Sequence, residues 1–430
     1  MIRFRKSTLN DREALLDLIE EGFSFEGEQV DPAEGAEHRT LFSHLYSRPS
    51  WNPDWVQIAE DEGVIVAAAG YFPQTLSFEE VTIPVGAISP VVTLPAYRSQ
   101  GLARKCLNQV MNNLAEQGVP LVFLWGLPFY YPKLGFVPVL PRYKTKILPT
   151  QSVLVPRESA HGTSGQLREC RYEDLHKIAE LYQQNQCRYW LQPIRNMEWW
   201  QERYHEIGSD NAFIKEVPFP KKENLLVWEN TSGEITGYLN YSWEYLNYIF
   251  QPTNQKVVIN ESAAKDIHCA TVMIEDFLKL LKPHQTLYIR GTPEHTVNTA
   301  LYRLGGTHIN PAPLAGMFKV TDWSSFFKHL SPLLCRRVSG LQRADRNEGR
   351  YYWTIDDLSI ELIIKNRFVN TFVTKATTVP KVDHNLILTR LIFGQYHHSE
   401  LDFLEKEQAE ILQVLFPPKY PFIWDANYLY

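Results

Sequence analysis

Four runs rich in β-branched and apolar residues, Val56–Ala59, Val64–Tyr71, Leu76–Phe78 and Ala87–Thr93, predict successive short strands. Asp61-Glu62-Gly63 supplies the hairpin turn between the first two. The period then changes: Leu102, Leu107, Val110, Met111 and Leu114 recur at helical spacing, and Gly118 follows as a C′ residue. Earlier, Leu15, Leu16, Ile19 and Phe23 share one face of a helix that Asp11 is placed to cap. Pro120–Trp125 reads as a short apolar strand leading into the aromatic stretch FYYPKLGFVPV, Phe129–Val139. The order is helix, antiparallel strands, glycine-opened helix, strand, aromatic turn.

The pattern restarts after Pro149–Gln166, a stretch rich in Pro, Ser, Gly and Thr that predicts a boundary. Leu167–Gln184 repeats the opening of the chain, with a basic strand, an acidic cap and a helix carrying Leu175, Ile178 and Leu181. A hairpin over Leu225–Trp228 and Ile235–Trp243 follows. A strand at Val257–Asn260, a helix through Met273–Leu281, a strand at Thr286–Ile289, a helix at Val297–Leu304 and a strand at Ala315–Val320 complete a second copy of the layout. Residues 330–430 differ: Tyr351–Ile355, Leu358–Ile364 and Phe368–Thr374 form a β-meander, followed by helices at Leu386–Phe393 and around Glu405–Leu415.

Composition narrows the classes. With 430 residues there is room for about three domains, and 44% hydrophobic residues give each a core. A net charge of −6 supplies no basic face for nucleic acid. No run of eighteen apolar residues occurs and the N-terminus lacks an apolar segment, so the expectation is a soluble, cytoplasmic protein without a membrane partner. The five cysteines are scattered and lack metal spacing, which predicts buried free thiols in a reducing compartment and no metal.

The strongest chemical signal is VVTLPAYRSQGLA, Val91–Ala103. A β-branched strand meets Pro95, and Arg98-Ser99-Gln100-Gly101 opens a helix. Successive amides at a helix N-terminus, with the macrodipole and an arginine, suit a pyrophosphate. Arg98-Ser99-Gln100-Gly101-Leu102-Ala103 resembles the acetyl-CoA loop of the GCN5-related N-acetyltransferase superfamily (GNAT), written Q/R-x-x-G-x-G/A. Tyr131-Pro132-Lys133-Leu134-Gly135-Phe136 resembles that superfamily's Y-x-x-x-G-F element. LTRLIFG at Leu388–Gly394 and LFPPKYPFIWD at Leu415–Asp425 resemble the C-terminal part of the enhanced-intracellular-survival family.

The resemblance implies an α+β chain of two tandem GNAT-type domains, each a splayed mixed sheet with flanking helices, and then a sterol-carrier-protein-2-like domain. The expected spans are 1–150 (catalytic), 151–325 (degenerate) and 326–430. The second copy is expected to lack the chemistry: NESAAKDIHCATVM, from Asn260, has no loop glycine and places Asp266 where a phosphate partner belongs. The implied reaction is acetyl transfer from acetyl-CoA to a primary amine of a small molecule or a lysine, by direct attack in a ternary complex. Amides of Ser99–Leu102, with Arg98 and Ala103 completing the loop, would hold the pyrophosphate. The strand Val91, Val92, Thr93 would pair with the pantetheine arm, and an amide of Val92 or Thr93 would face the oxyanion.

Tyr131 is the candidate general acid, since a phenol of pKa about 10 stays neutral at pH 7 yet protonates a thiolate; Tyr130 is the rival. The family likeness implies the terminal carboxylate of Tyr430 as base, which requires burial because a free carboxyl titrates near about 3.5. It also implies homo-oligomers, hexamers built from trimers.

Other features carry less. His397-His398 lack metal spacing, and Arg336-Arg337 with Arg343–Arg350 read as a solvated basic face. Trp199-Trp200 belong to a core or line a substrate cleft, while Glu20, Glu21, Glu26 and Glu28 are either loop carboxylates or amine contacts. A non-catalytic lipid carrier or scaffold acting through the C-terminal module is the competing class.

Overall fold

The computed structural model describes residues 1–26, 29–127, 129–148, 164–186, 191–207, 225–245, 252–340, 348–355, 358–375, 384–394 and 406–419. The first unit runs β1 (Arg3–Lys6), α1 (Arg12–Phe23), the two-residue strands β2 (Phe25–Glu26) and β3 (Gln29–Val30), α2 (Pro32–Ser47), β4 (Val56–Asp61), β5 (Val64–Phe78), β6 (Val81–Thr93), α3 (Leu102–Glu116), β7 (Leu121–Trp125) and β8 (Val137–Ile147). The predicted strands at Val64–Tyr71 and Leu76–Phe78 are one strand, β5, carried through Gly70 by a register shift between Ala69 and Tyr71. Glu62 and Gly63 both have positive φ, 51° and 86°, the backbone of the tight hairpin that the turn residues predict. Helix α2 left no clear apolar stripe in the sequence; its Asp31 side chain accepts from Ala33 and Glu34 amides and Pro32 opens it.

The second unit repeats the plan: β9 (Gly165–Glu169), α4 (Leu175–Gln186), β10 (Gln192–Pro193), α5 (Met197–Ile207), β11 (Leu225–Asn230), β12 (Ile235–Tyr245), β13 (Pro252–Ala264), α6 (Ile267–Leu280), β14 (Thr286–Arg290), α7 (Thr296–Arg303) and β15 (Thr307–Val320). The repeat extends to single side chains. Arg5 on β1 donates to Asp11 at 2.7 and 2.8 Å and to Glu60 on β4 at 2.9 Å. Arg168 on β9 donates to Asp174 at 2.6 and 3.0 Å and to Glu229 on β11 at 2.5 Å. The Arg5 guanidinium holds the Asp11 carboxyl well below its ordinary range. Because Asp11 is taken by Arg5 and Thr8, it makes no side-chain cap on α1, contrary to the expected role.

Both units contribute to one 13-stranded sheet, ordered β1-β4-β5-β6-β7-β15-β8-β14-β13-β12-β11-β9, with β10 added to β5. The order is nearly a palindrome, but the last strands are exchanged. β15 of the second unit lies beside β7 of the first, and β8 of the first lies beside β14 of the second. β15 and β8 pair with each other at the centre.

The third part opens with α8 (Trp323–Ser339), so the expected boundary at 325/326 falls inside a helix. The meander β16 (Gly349–Ile355), β17 (Leu358–Lys365) and β18 (Phe368–Lys375), then α9 (His384–Ile392) and α10 (Lys406–Leu415), match the sequence reading closely. This part shares a core with both units: Phe393 stacks on Phe318 of the exchanged strand β15 at 4.5 Å and meets Phe78 of the first unit at 5.7 Å. The expected solvated face holds for Arg336 and Arg350, with side chains 56% and 65% exposed, and fails for Arg337; residues 343–347 lie outside the described residues. Arg337, its side chain 8% exposed, pairs with Glu79 at 2.8 Å, and Arg336 grips Glu79 and Glu80 at the tip of the β5–β6 hairpin. Opposite charges across the seam, supplied by a remote hairpin, were invisible to local pattern.

Among the described residues, no helix is long and apolar enough to cross a membrane, and no group of metal-ligating side chains occurs. Cys106, Cys170 and Cys269 are buried free thiols, Cys335 is half-buried, and Cys187 lies outside the described residues. Burial pushes the Cys106 thiol up to about 12, which removes it as a nucleophile.

Candidate active site

The site begins where the sheet splits. Strands β6 and β7 run parallel and pair only over Val85–Leu121, Gly86–Val122 and Ala87–Phe123. Beyond Ala87, β6 continues to Thr93 paired, among the described residues, on its β5 side alone, while β7 keeps β15 on its other edge along its whole length, from Leu121 to Trp125. The Leu94 amide donates to Val66 O at 3.0 Å, and this fixes the alternation along the strand. Val92 and Leu94 turn their N–H groups to β5; Val91 and Thr93 turn theirs to the open edge. Of the two amides considered for an oxyanion, the pleat therefore favours Thr93.

The loop after this strand is built for an anion. Ser99 and Gly101 have φ of +64° and +71°, and Gly101 is the left-handed N-cap of α3. A left-handed residue followed by helical Leu102 makes successive amides converge, the geometry of an anion-binding nest. No side chain caps α3. Among the described residues, the amides of Ser99 through Arg104 donate to no backbone carbonyl; pairing resumes when Lys105 donates to Gly101 O at 3.1 Å. Ser99, Gln100 and Gly101 are exposed, and a Cβ on Gly101 would meet no atom within 4 Å. Leu102 is buried in the core beneath the loop and Ala103 half-buried.

Arg98 is placed differently from the sequence expectation. Its guanidinium donates to Gly22 O at 2.8 Å and approaches Thr93 O at 3.5 Å. It ties the loop to the end of α1 and to the last residue of β6. That contact depends on Gly22, where a Cβ would lie 2.2 Å from Val92 Cγ2. No local signal marks Gly22, because its neighbour is remote in sequence.

The corresponding place in the second unit is closed. β13 pairs with β14 only as far as Ile259–Ile289, so the strands part there too. Only residues 265 and 266 separate β13 from α6, against 94–101 between β6 and α3. The Asp266 carboxylate itself caps α6, accepting from His268 at 2.9 Å and Cys269 at 2.8 Å. The parted strands are bridged by His295, fully buried. Its Nδ1 accepts from the Val297 amide at 3.2 Å, so the proton sits on Nε2, which donates to Ser262 O at 3.1 Å. At this place the helix N-terminus is already capped by a carboxylate, and an imidazole sits beside the split.

Tyr131 opens a 3-10 turn, Tyr131–Leu134, ended by Gly135 at φ +83°. Its ring lies over Gly126, where a Cβ would be 2.3 Å from Cε2, and edge-on to Phe136 at 5.8 Å. It packs against the hydrophobic cluster that contains Leu102 and against which Val91, Leu94 and Tyr97 also pack. Tyr130 meets Tyr131 edge-to-face at 5.0 Å. Burial raises the Tyr130 phenol, and the charge of Arg104 lowers it in part. Arg104 is a residue that sequence reasoning passed over, though a cation in a helix's first turn opposes the macrodipole and so hints at an anion nearby.

Tyr430, the tail from Trp424, and His397-His398 lie outside the described residues, as do Glu28 and the side chain of Glu26. Glu20 pairs with Arg39 at 3.2 Å and Glu21 is exposed. Trp199 and Trp200 enclose Arg195, with ring centroids 4.1 and 5.0 Å from its guanidinium.

Residues 3–139 match the family model of the acetyltransferase (GNAT) domain. No curated protein matches the chain by sequence. Solved structures share the fold over its whole length. A probable N-acyltransferase from Enterococcus faecalis aligns over 99% of each chain at TM-score 0.70 and 17% identity. A GCN5-related N-acetyltransferase from Anabaena variabilis aligns over 99% of this chain and 100% of its own, at TM-score 0.67 and 14% identity. Eis1 from Mycobacterium abscessus aligns over 99% and 100%, at TM-score 0.62 and 11% identity. The split sheet, the left-handed glycine and the matched segment coincide: this chain carries a GNAT acetyltransferase domain over residues 3–139 within a full-length α+β fold of that kind.

Proposed function

We propose that the chain is an acetyl-CoA-dependent N-acetyltransferase acting on a primary amine of a small molecule or a lysine. The observation that carries this reading is the uncapped, nest-forming N-terminus of α3 beside an unpaired strand edge, in a chain whose second copy has both features filled. Amides of Ser99, Gln100, Gly101, Leu102 and Ala103 bind the pyrophosphate, with Arg98 as their anchor. The open edge of Val91–Thr93 pairs with the pantetheine arm, and the Thr93 amide donates to the thioester oxygen as it gains charge. The amine nitrogen attacks the carbonyl carbon, a C–N bond forms and the C–S bond breaks. Tyr131 gives its phenolic proton to the departing thiolate, and the amine proton passes to the terminal carboxylate of Tyr430 through water. In this reading residues 151–322 are a scaffold, and the part from α8 onward is a sterol-carrier-protein-2-like module that presents the C-terminus. Several copies assemble as an oligomer.

Acetyl-CoA at a hundredfold excess over its dissociation constant is expected to stabilise the native chain by about 2.7 kcal/mol, read as a raised thermal midpoint. An unmoved midpoint at millimolar acetyl-CoA would leave the lipid-carrier class standing instead. Turnover is followed as thiol release with hexylamine, spermidine, a lysine-containing peptide and an aminoglycoside. Residues appended after Tyr430 are expected to abolish that release while sparing the acetyl-CoA midpoint shift; full activity of the extended chain removes the terminal carboxylate from the mechanism.

A further inference from the structure

We propose that Lys319, on the exchanged strand β15 of the second unit, is a positioning residue for Tyr131; the inference rests on the reading of Tyr131 as the general acid. Lys319 is half-buried, in a strand between β7 and β8, on the face opposite to the buried Phe318 and Val320. A half-buried ammonium gives up part of its hydration and is held by hydrogen bonds. Its Nζ donates to Leu134 O at 2.8 Å. Leu134 is the last residue of the turn that Tyr131 opens, and terminal carbonyls of a helical turn have no partner within it. A cation at that end is favoured by both the hydrogen bond and the local dipole.

The lysine stem also lies against the next residue. Gly135 is set by its φ of +83°, and a Cβ there would meet Nζ, Cε and Cδ of Lys319 at 3.4, 3.5 and 3.8 Å, ordinary contact distances that place the stem beside the end of the turn. From Gly135 the constraint runs back to the tyrosine, because the Phe136 amide donates to Tyr131 O at 3.3 Å.

The same strand holds the other end of the loop. Gly316 of β15 pairs with Trp125, and a Cβ there would lie 2.9 Å from Trp125 Cζ3 and 2.5 Å from Leu140 Cβ. The residue after Trp125 is Gly126, the floor beneath the Tyr131 ring. Gly316 and Lys319 thus set both ends of the segment that carries Tyr131. Through the strand exchange the second unit holds the first unit's tyrosine in place. A shift of about 1 Å in such a group lowers rates by up to about a hundredfold.

Lys319→Met keeps the stem and removes the donor. With the four amines named above, kcat is expected to fall about tenfold or more, with the KM for acetyl-CoA and its midpoint shift unchanged. Amide exchange over Leu134–Phe136 quickens, and Lys319→Arg restores most of the rate. In a Tyr131→Phe background, Lys319→Met is expected to bring no further loss, because both changes remove the same function. An undiminished kcat, or a loss that repeats in full in that background, overturns the proposal. Full turnover of Tyr131→Phe alone overturns the acid role itself, a result distinct from both. If Lys319→Met does not fold, Lys319→Gln, which keeps a neutral donor, is judged by the same comparison against Tyr131→Phe.

Discussion

Tyr131→Phe is expected to lower turnover by about a hundredfold to a thousandfold while the acetyl-CoA midpoint shift stays in place. The change deletes one oxygen and keeps the ring, so the contacts with Gly126, Phe136 and Tyr130 survive. What disappears is the proton donor to the leaving thiolate. Pre-steady-state kinetics should show the loss in the chemical step. Tyr130→Phe is the matched control: it removes the phenol of the ring that meets Tyr131 edge-to-face, and turnover is expected to stay largely in place. A large kcat loss in Tyr130→Phe with Tyr131→Phe unaffected would exchange the two roles.

Breaking the buried pair Arg195–Glu261 is expected to have the largest effect on stability, about 3–5 kcal/mol for Glu261→Gln or Arg195→Met. The two side chains are 1% and 3% exposed and share two hydrogen bonds of 2.9 and 2.8 Å. The Tyr238 hydroxyl donates a third, at 2.9 Å, to Glu261. Burial, and then the carboxylate, push the Tyr238 phenol well above its ordinary range, so it stays a donor. Rings of Tyr182, Trp199 and Trp200 enclose the guanidinium, Tyr182 at 4.2 Å. Either single change leaves the remaining partner without the charge it was buried against.

The pair also fixes a junction between units. The segment before Arg195 adds β10 to the first unit's β5, with Leu191 donating to Ser77 O at 3.1 Å and Ile194 to Thr75 O at 2.8 Å. Denaturant unfolding of the full chain reads the loss, and the double variant Arg195→Met with Glu261→Leu is expected to recover much of it. A single-variant loss below about 1 kcal/mol would mean that water reaches the pair.

The sequence by itself determined the local elements and the anion loop. Period-two and period-3.6 runs marked most strands and helices, because one buried face imposes its spacing on adjacent residues. Gly101 and Gly135 stood out as members of the two motifs, and the structure gives both the left-handed backbone that glycine adopts without a Cβ penalty. Asp266 announced a closed nest, because a carboxylate satisfies the amides that a phosphate would otherwise take.

Only the tertiary structure decided what those elements face. It turned Arg98 onto Gly22 O and set Arg337 against a hairpin hundreds of residues earlier. It exchanged β15 with β8, and in doing so brought Lys319 beneath the turn of Tyr131. Such contacts join residues whose separation along the chain carries no period. They are selected by shape and charge across a shared core, and a one-dimensional pattern holds no record of which remote surface a side chain will meet.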